Sequence, residues 1–216
     1  MSGMKKFHRY LARRSIGDSI VFFLSLSCAF LRGLLRGYPF VFIGPHVIIR
    51  SRSSVRIGHF TRIEAFVEID GFSQAGIDIG RHCKIGKYSI VKCPPTPIVK
   101  GHSIAIGDNT AFAEFCFIGG AGCVQIGQHN SFGQYCSLHP QDHVQVGSSD
   151  LGGAARTREV GIQIGSGNWF GAKVTVLDGT QVGDRNTFGA TSVLRGRFGD
   201  GVIAVGVPAK VIKRHD

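Results

Sequence analysis

Between Ile164 and Leu194 the chain repeats itself every six residues, through five hexads without a slip. The first position of each hexad is large and apolar: Ile164, Phe170, Val176, Val182 and Phe188. The second is Gly in four of the five, and the fifth is always Asn, Val, Thr or Ser. A helix would space its apolar residues three and four apart, and a half-buried strand two apart. A period of six with a small fifth residue fits short strands that turn a corner every six residues. Three such strands close a triangular coil of about eighteen residues. The expected fold class is an all-β solenoid, a parallel β-helix of hexapeptide repeats. The 31 Gly suit it, because corners need residues that tolerate unusual backbone angles.

The same frame runs backwards through the chain. Ile57, Ile63, Ile79, Ile85, Ile106, Phe112, Ile118, Ile126, Phe132 and Leu138 all take first positions. Cys93-Pro94-Pro95-Thr96-Pro97 breaks the pattern and reads as a protruding turn. A longer break, residues 139–161, begins His139-Pro140-Gln141-Asp142-His143 and includes Arg156, Arg158 and Glu159. Long loops extruded from a regular scaffold usually carry function. The expected layout is an N-terminal segment over 1–36, a solenoid over 37–201 with the 139–161 loop, and a closing segment over 202–216.

Charge sets the N-terminal segment apart. The chain carries a formal +11, and seven basic residues against Asp18 alone put +6 of it in residues 1–36. That localised excess suits an anionic membrane surface better than a basic groove in the body. The chain also lacks the aromatic-rich basic motifs of nucleic-acid modules, so no nucleic-acid partner is expected. The apolar run Ile20 to Leu31, ended by Arg32, counts about a dozen residues, fewer than the roughly 20 that span a bilayer. A signal peptide shares this layout, but the run continues past both small-x-small sites into an Arg-containing stretch. Either the segment is a helix packed on the solenoid or a neighbouring subunit, or it lies in the membrane interface. The expected location is cytoplasmic, and the second alternative would make the protein peripheral on the cytoplasmic face of the inner membrane. Of six Cys, Cys83, Cys116 and Cys136 take small fifth positions, which makes them buried hydrophobes of a reducing compartment.

Three motifs give the chain a resemblance, over roughly residues 40–213, to the hexapeptide-repeat acyltransferases. One is the hexads themselves. Another is His139-Pro140-Gln141-Asp142, similar to the family's His-Pro-x-Asp at the exit to the active-site loop. The third comprises Gly165-Ser166-Gly167-Asn168-Trp169-Phe170-Gly171-Ala172 and the tail Val205-Gly206-Val207-Pro208-Ala209-Lys210-Val211-Ile212, which resemble the coenzyme-binding coil and C-terminal segment. The branch resembled holds maltose and galactoside acetyltransferases and the polysaccharide and O-antigen O-acetyltransferases. The resemblance implies a left-handed β-helix, a homotrimer with active sites between subunits, and acetyl-CoA as cosubstrate. The acceptor would be a saccharide or lipid-linked saccharide, as in envelope polysaccharide, O-antigen or capsule synthesis.

Moving acetyl from a thioester to a sugar hydroxyl needs a base, and imidazole with an ordinary pKa of about 6.5 is partly neutral at cytoplasmic pH. The resemblance makes His139 that base, with His143 its rival and Asp142 or Glu159 available to orient the ring. Asp142, His143, Arg156 and Arg158 are the candidates for holding the acceptor. The Ala172 backbone N–H would meet the developing oxyanion. The frame turns Trp169 out of the core, and the resemblance sets it against coenzyme A. Ala190 and Thr191 match the family's coenzyme-contacting coil. Where relatives have Thr-Lys the chain reads Leu194-Arg195, so Arg195 or Arg197 would take the coenzyme phosphates, with Lys210 and Lys213 as further candidates. No serine or cysteine sits in a nucleophile motif, which implies direct transfer without an acyl-enzyme.

Other classes stay open at this level. They are an N-acetyltransferase acting on an amino-sugar nucleotide, an antibiotic-modifying acetyltransferase, and a non-catalytic hexapeptide scaffold. The γ-class carbonic anhydrases share such solenoids and bind zinc through three histidines. The spacing of His46, His59, His82, His102 and His129 does not reproduce their paired motif, so no metal is expected.

Overall fold

The computed structural model describes residues 15–144 and 156–215. Among these, short strands stack into three parallel sheets that form the faces of a triangular solenoid. The first face begins at Phe42–Ile43 and runs through Trp169–Phe170 and Thr187–Phe188 to Val202–Gly206. The second runs from Ile48–Arg50 through Phe117–Gly119 and Ser137–His139 to Val193–Leu194. The third runs from Val55–Ile57 to Arg197–Phe198. The last strand, Ala209–Arg214, folds back antiparallel on Val202–Gly206 and closes the first face.

Hexad first positions point inward, as expected. Phe112, Phe132, Phe170 and Phe188 are fully buried and stack at centroid spacings of 4.2, 4.2 and 5.0 Å along one column. The small fifth position bonds the next coil at the corner between third and first faces. The Asn130 side-chain oxygen accepts from the Asn168 N–H at 2.9 Å, and the Asn168 oxygen accepts from the Asn186 N–H at 2.8 Å. Each coil thereby satisfies a buried backbone donor of its neighbour, which would otherwise cost about 1–3 kcal/mol. Cys83, Cys116 and Cys136 are free and buried, whereas Cys28 is exposed.

Two expectations need correcting. Second-position glycines are required by close approach, not by unusual angles: a Cβ on Gly171 would lie 2.6 Å from the Ala190 nitrogen of the next coil. Glycine takes some left-handed corner positions, such as Gly167 (φ 72°) and Gly201 (φ 62°), but many are held by bulky residues, among them Phe66 (φ 59°), Tyr88 (φ 59°) and Lys173 (φ 61°). Such a conformation costs an L-residue roughly 1–2 kcal/mol. At the corner between first and second faces, ring stacking offsets it: His46, Phe66, Tyr88, Phe115 and Tyr135 stack at 4.8, 4.9, 5.1 and 5.0 Å.

The eighteen-residue coil is also the exception. Trp169 pairs with Thr187, a step of 18, but Phe42 pairs with Arg62, a step of 20, and Lys84 with Ala111, a step of 27. The surplus residues collect between the end of the second face and the start of the third. The Arg52–Ser54 turn, the Pro94–Pro97 turn and the extruded loop all leave from that edge. Sequence breaks that look scattered therefore stack into a single edge.

Before the solenoid stands one helix, Ile16–Leu35, capped by Ser15, whose Oγ accepts from the Asp18 N–H at 3.1 Å. It extends well past the apolar dozen residues read from the sequence, because Arg32 continues it instead of ending it. The basic run Lys5 to Arg14 lies outside the described residues.

Candidate active site

His139 ends its strand on the second face, at the edge where the breaks collect. The proline that follows holds it in extended backbone and turns the chain away from the solenoid. Its ring is half-buried and stacks on Phe117, 5.2 Å between centroids and 25° between planes. Phe117 lies two positions earlier in the register, opposite Ser137, and leans diagonally to reach the imidazole. Gly119 permits this: a Cβ there would lie 3.2 Å from Phe117 Cε1. The Lys92 ammonium sits 5.7 Å from the Phe117 ring centroid. Together with the Pro94–Thr96 turn, these residues wall a cleft of about 490 Å³. Burial holds the His139 pKa below the ordinary histidine value, so the ring is a neutral acceptor near neutral pH.

The loop is tied down at both ends. On the outgoing side, Asp142–Val144 pairs antiparallel with Arg156–Arg158. Asp142 accepts from Arg195 at 2.8 Å, the two residues lying 53 apart in sequence. On the return, the buried Asp178 carboxylate accepts from the Val160 and Gly161 N–H groups at 3.1 and 2.7 Å. Two expectations change here. Asp142 does not orient the His139 ring but bonds Arg195, and Glu159 is exposed without a recorded bond to the imidazole. Arg195, expected on the coenzyme phosphates, is held at the histidine edge. The backbone of His143, Arg156 and Arg158 stands in the hairpin; their side chains, and residues 145–155, lie outside the described ones.

The expected coenzyme residues fall elsewhere. Trp169 is 52% exposed on the first face, in register with Thr187 and then Ile203. Lys213 pairs with Ile203 and Lys210 with Val205, so both tail lysines sit on the same face. Ala172, Ala190 and Thr191 occupy the adjoining corner, where Thr191 N–H donates to the Ala172 carbonyl at 2.8 Å. Among the described residues nothing accepts from the Ala172 N–H. At the matching corner position the first two coils carry Pro45 and Ala65, and the three coils just before Ala172 carry Lys87, Glu114 and Gln134. The change to alanine at 172 and 190 clears the surface around that amide. Arg197, by contrast, lies on the third face, beside Gln181. The candidate residues therefore fall into two groups, or candidate half-sites, with His139 at one edge of the second face and the Trp169–Ala172 corner at the other.

The sequence matches no protein-family model and no curated protein, but solved structures match the fold. A point mutant of AntD, an N-acyltransferase from Bacillus cereus in complex with dTDP and coenzyme A, aligns with a TM-score of 0.55 at 16% identity. The match covers 86% of this chain and 89% of that one. A maltose O-acetyltransferase from Clostridium difficile 630 aligns with a TM-score of 0.54 at 20% identity, over 76% and 72% of the two chains. The fold is the left-handed parallel β-helix of the hexapeptide-repeat acyltransferases.

Within this left-handed β-helix, Phe117, Lys92, Asp178 and the aromatic corner were not anticipated. The corner rings were legible, since each sits three residues past a first position, as Phe66 does past Ile63. Phe117 was not, because its contact to His139 depends on a diagonal lean that a hexad count cannot supply. Four of the histidines weighed for metal, His46, His59, His82 and His129, lie at two different corners. His46 stacks on Phe66 at 4.8 Å, while His59 and His82 accompany Phe60.

Proposed function

We propose that the chain is an acetyl-CoA-dependent O-acetyltransferase acting on a saccharide hydroxyl, with its sites formed between neighbouring copies of a homotrimer. The observation that carries this is His139: a half-buried imidazole kept neutral, walling a cleft at the edge where the solenoid extrudes its loop. His139 takes the proton of an acceptor hydroxyl as its oxygen attacks the thioester carbonyl. The Ala172 N–H of the adjacent copy stabilises the oxyanion. When the tetrahedral intermediate collapses, the C–S bond breaks and the imidazolium returns its proton to the departing thiolate.

The need for a neighbour follows from the two half-sites on opposite edges of one face. Trp169, Lys210 and Lys213 then bind the coenzyme, and Asp142 and the loop hairpin face the acceptor. A second reading, acyl transfer to the amine of an amino-sugar nucleotide, draws support from an AntD variant in complex with dTDP-4-amino-4,6-dideoxyglucose and coenzyme A. The test is thiol release from acetyl-CoA, measured with hydroxyl acceptors and amino-sugar nucleotides in parallel. His139→Ala is expected to lower kcat by about 10²–10⁴-fold with the KM for acetyl-CoA little changed. Full turnover by that variant, or release with no acceptor of either class, contradicts the proposal.

A further inference from the structure

The N-terminal helix has two faces, and the solenoid accounts for one. Ser19, Leu26, Ala29, Phe30 and Gly33 recur at helical spacing and are half-buried or buried. Phe30 lies against Phe40 and Phe42, with centroids 6.2 and 5.9 Å apart. The last turn is fixed to the first coil. Arg32 donates to the Ile43 carbonyl at 2.8 Å and Arg36 to the Val47 carbonyl at 2.7 Å. Gly33 packs so closely that a Cβ would lie 1.9 Å from the Val41 carbonyl oxygen.

The opposite face is apolar where a helix covering a soluble body turns charge to water. Ile20, Val21, Leu24, Leu31, Leu34 and Leu35 are each more than half exposed. Asp18 and Arg32 are the helix's charged residues. By length and composition Gly17–Leu35 is long and apolar enough to cross a membrane. The docked last turn opposes crossing. With the chain held from Arg32 onward, sixteen helical residues remain, roughly 24 Å at 1.5 Å each against a hydrocarbon core of about 30 Å.

We infer that this helix lies in the interface of an anionic bilayer, its exposed face in the acyl region and the first coil at headgroup level. Charge complementarity favours lipid over a second copy of the chain. Between the helix and the first face opens a cleft of about 340 Å³ with Arg62 and Lys87 on its wall. Glu64, on the same wall, is paired with Lys84 at 3.3 Å. The preceding residues Lys5, Lys6, Arg9, Arg13 and Arg14 add five cations. A second copy packed on this face would set like charges against each other, whereas anionic headgroups neutralise them.

The test uses the full chain with vesicles of phosphatidylcholine, with and without phosphatidylglycerol. The protein is expected to pellet with the anionic vesicles, weakly with the neutral ones, and to be released by salt. Val21→Ser, Leu24→Ser and Leu31→Ser together are expected to reduce binding by about tenfold or more, with thermal stability and oligomeric state unchanged. Cys28 is exposed on this helix while the other cysteines are buried or half-buried. A nitroxide there reports depth without altering the apolar face, and should become oxygen-accessible and shielded from a water-soluble relaxant on vesicle addition. A label that stays in water, or equal pelleting with both vesicle types, overturns the inference. So does a triple variant that changes oligomeric state and not vesicle binding.

Discussion

At the scale of single residues the proposed chemistry rests on His139 and the Phe117 ring stacked on it. No described hydrogen bond fixes the imidazole; a stacked ring does, with Gly119 leaving room for the lean. Burial, to which this ring contributes, withdraws the imidazole from water and depresses its pKa. A base acts when unprotonated, so activity should persist below the ordinary histidine value of about 6.5 before falling. Phe117→Ala is expected to return the His139 pKa toward that value and shift the acid limb of kcat/KM upward. An NMR titration of His139 measures the shift without needing an acceptor. The break in the hexads marked the loop, and the resemblance of His139-Pro140-Gln141-Asp142 to the family motif marked His139 within it. Its partner was not legible in the sequence, since Phe117 and His139 lie 22 positions apart and meet only through coil stacking.

At the scale of elements, the extruded loop depends on two anchors of unequal strength. The Asp142–Arg195 pair is part-exposed, with side chains 29% and 53% accessible, and such pairs contribute about 0–1 kcal/mol, less in salt. The buried Asp178 carboxylate satisfies two backbone N–H groups, and its loss would leave each unsatisfied at about 1–3 kcal/mol. Asp178→Ala is therefore expected to lower Tm and to loosen the loop return. Amide hydrogen exchange at Val160 and Gly161 checks this, with faster exchange there than in the strands around Phe170. The hexad count captured the strands but misjudged coil length, because register requires only that inward positions match. Extra residues escape at one edge at no cost to the core. For the same reason the hexad count does not mark Asp178: its partners arrive from the far end of the loop.

For the whole molecule, the decisive feature is separation. His139 and the Trp169–Ala172 corner sit on opposite edges of one face, which is why the proposed site needs residues from two copies. Stacking every break along a single edge fixes where His139 lies, and the closing hairpin Val202–Arg214 fixes where Lys210 and Lys213 lie. The first coil offers a means of removing the Ala172 N–H alone. Its corner, Gly44-Pro45-His46, matches Gly171-Ala172-Lys173, with His46 and Lys173 both left-handed at φ 56° and 61°. Proline is thus already accommodated at the position of Ala172, in keeping with its preference for the second residue of such turns. Ala172→Pro should then remove the N–H and leave the fold intact. The direct test is complementation: His139→Ala chains and Ala172→Pro chains assayed separately and after co-expression. Each variant alone should be nearly inactive, and mixed assemblies should recover activity at interfaces that pair an intact His139 with an intact Ala172. Mixed assemblies no more active than the separate variants would contradict a site shared between copies.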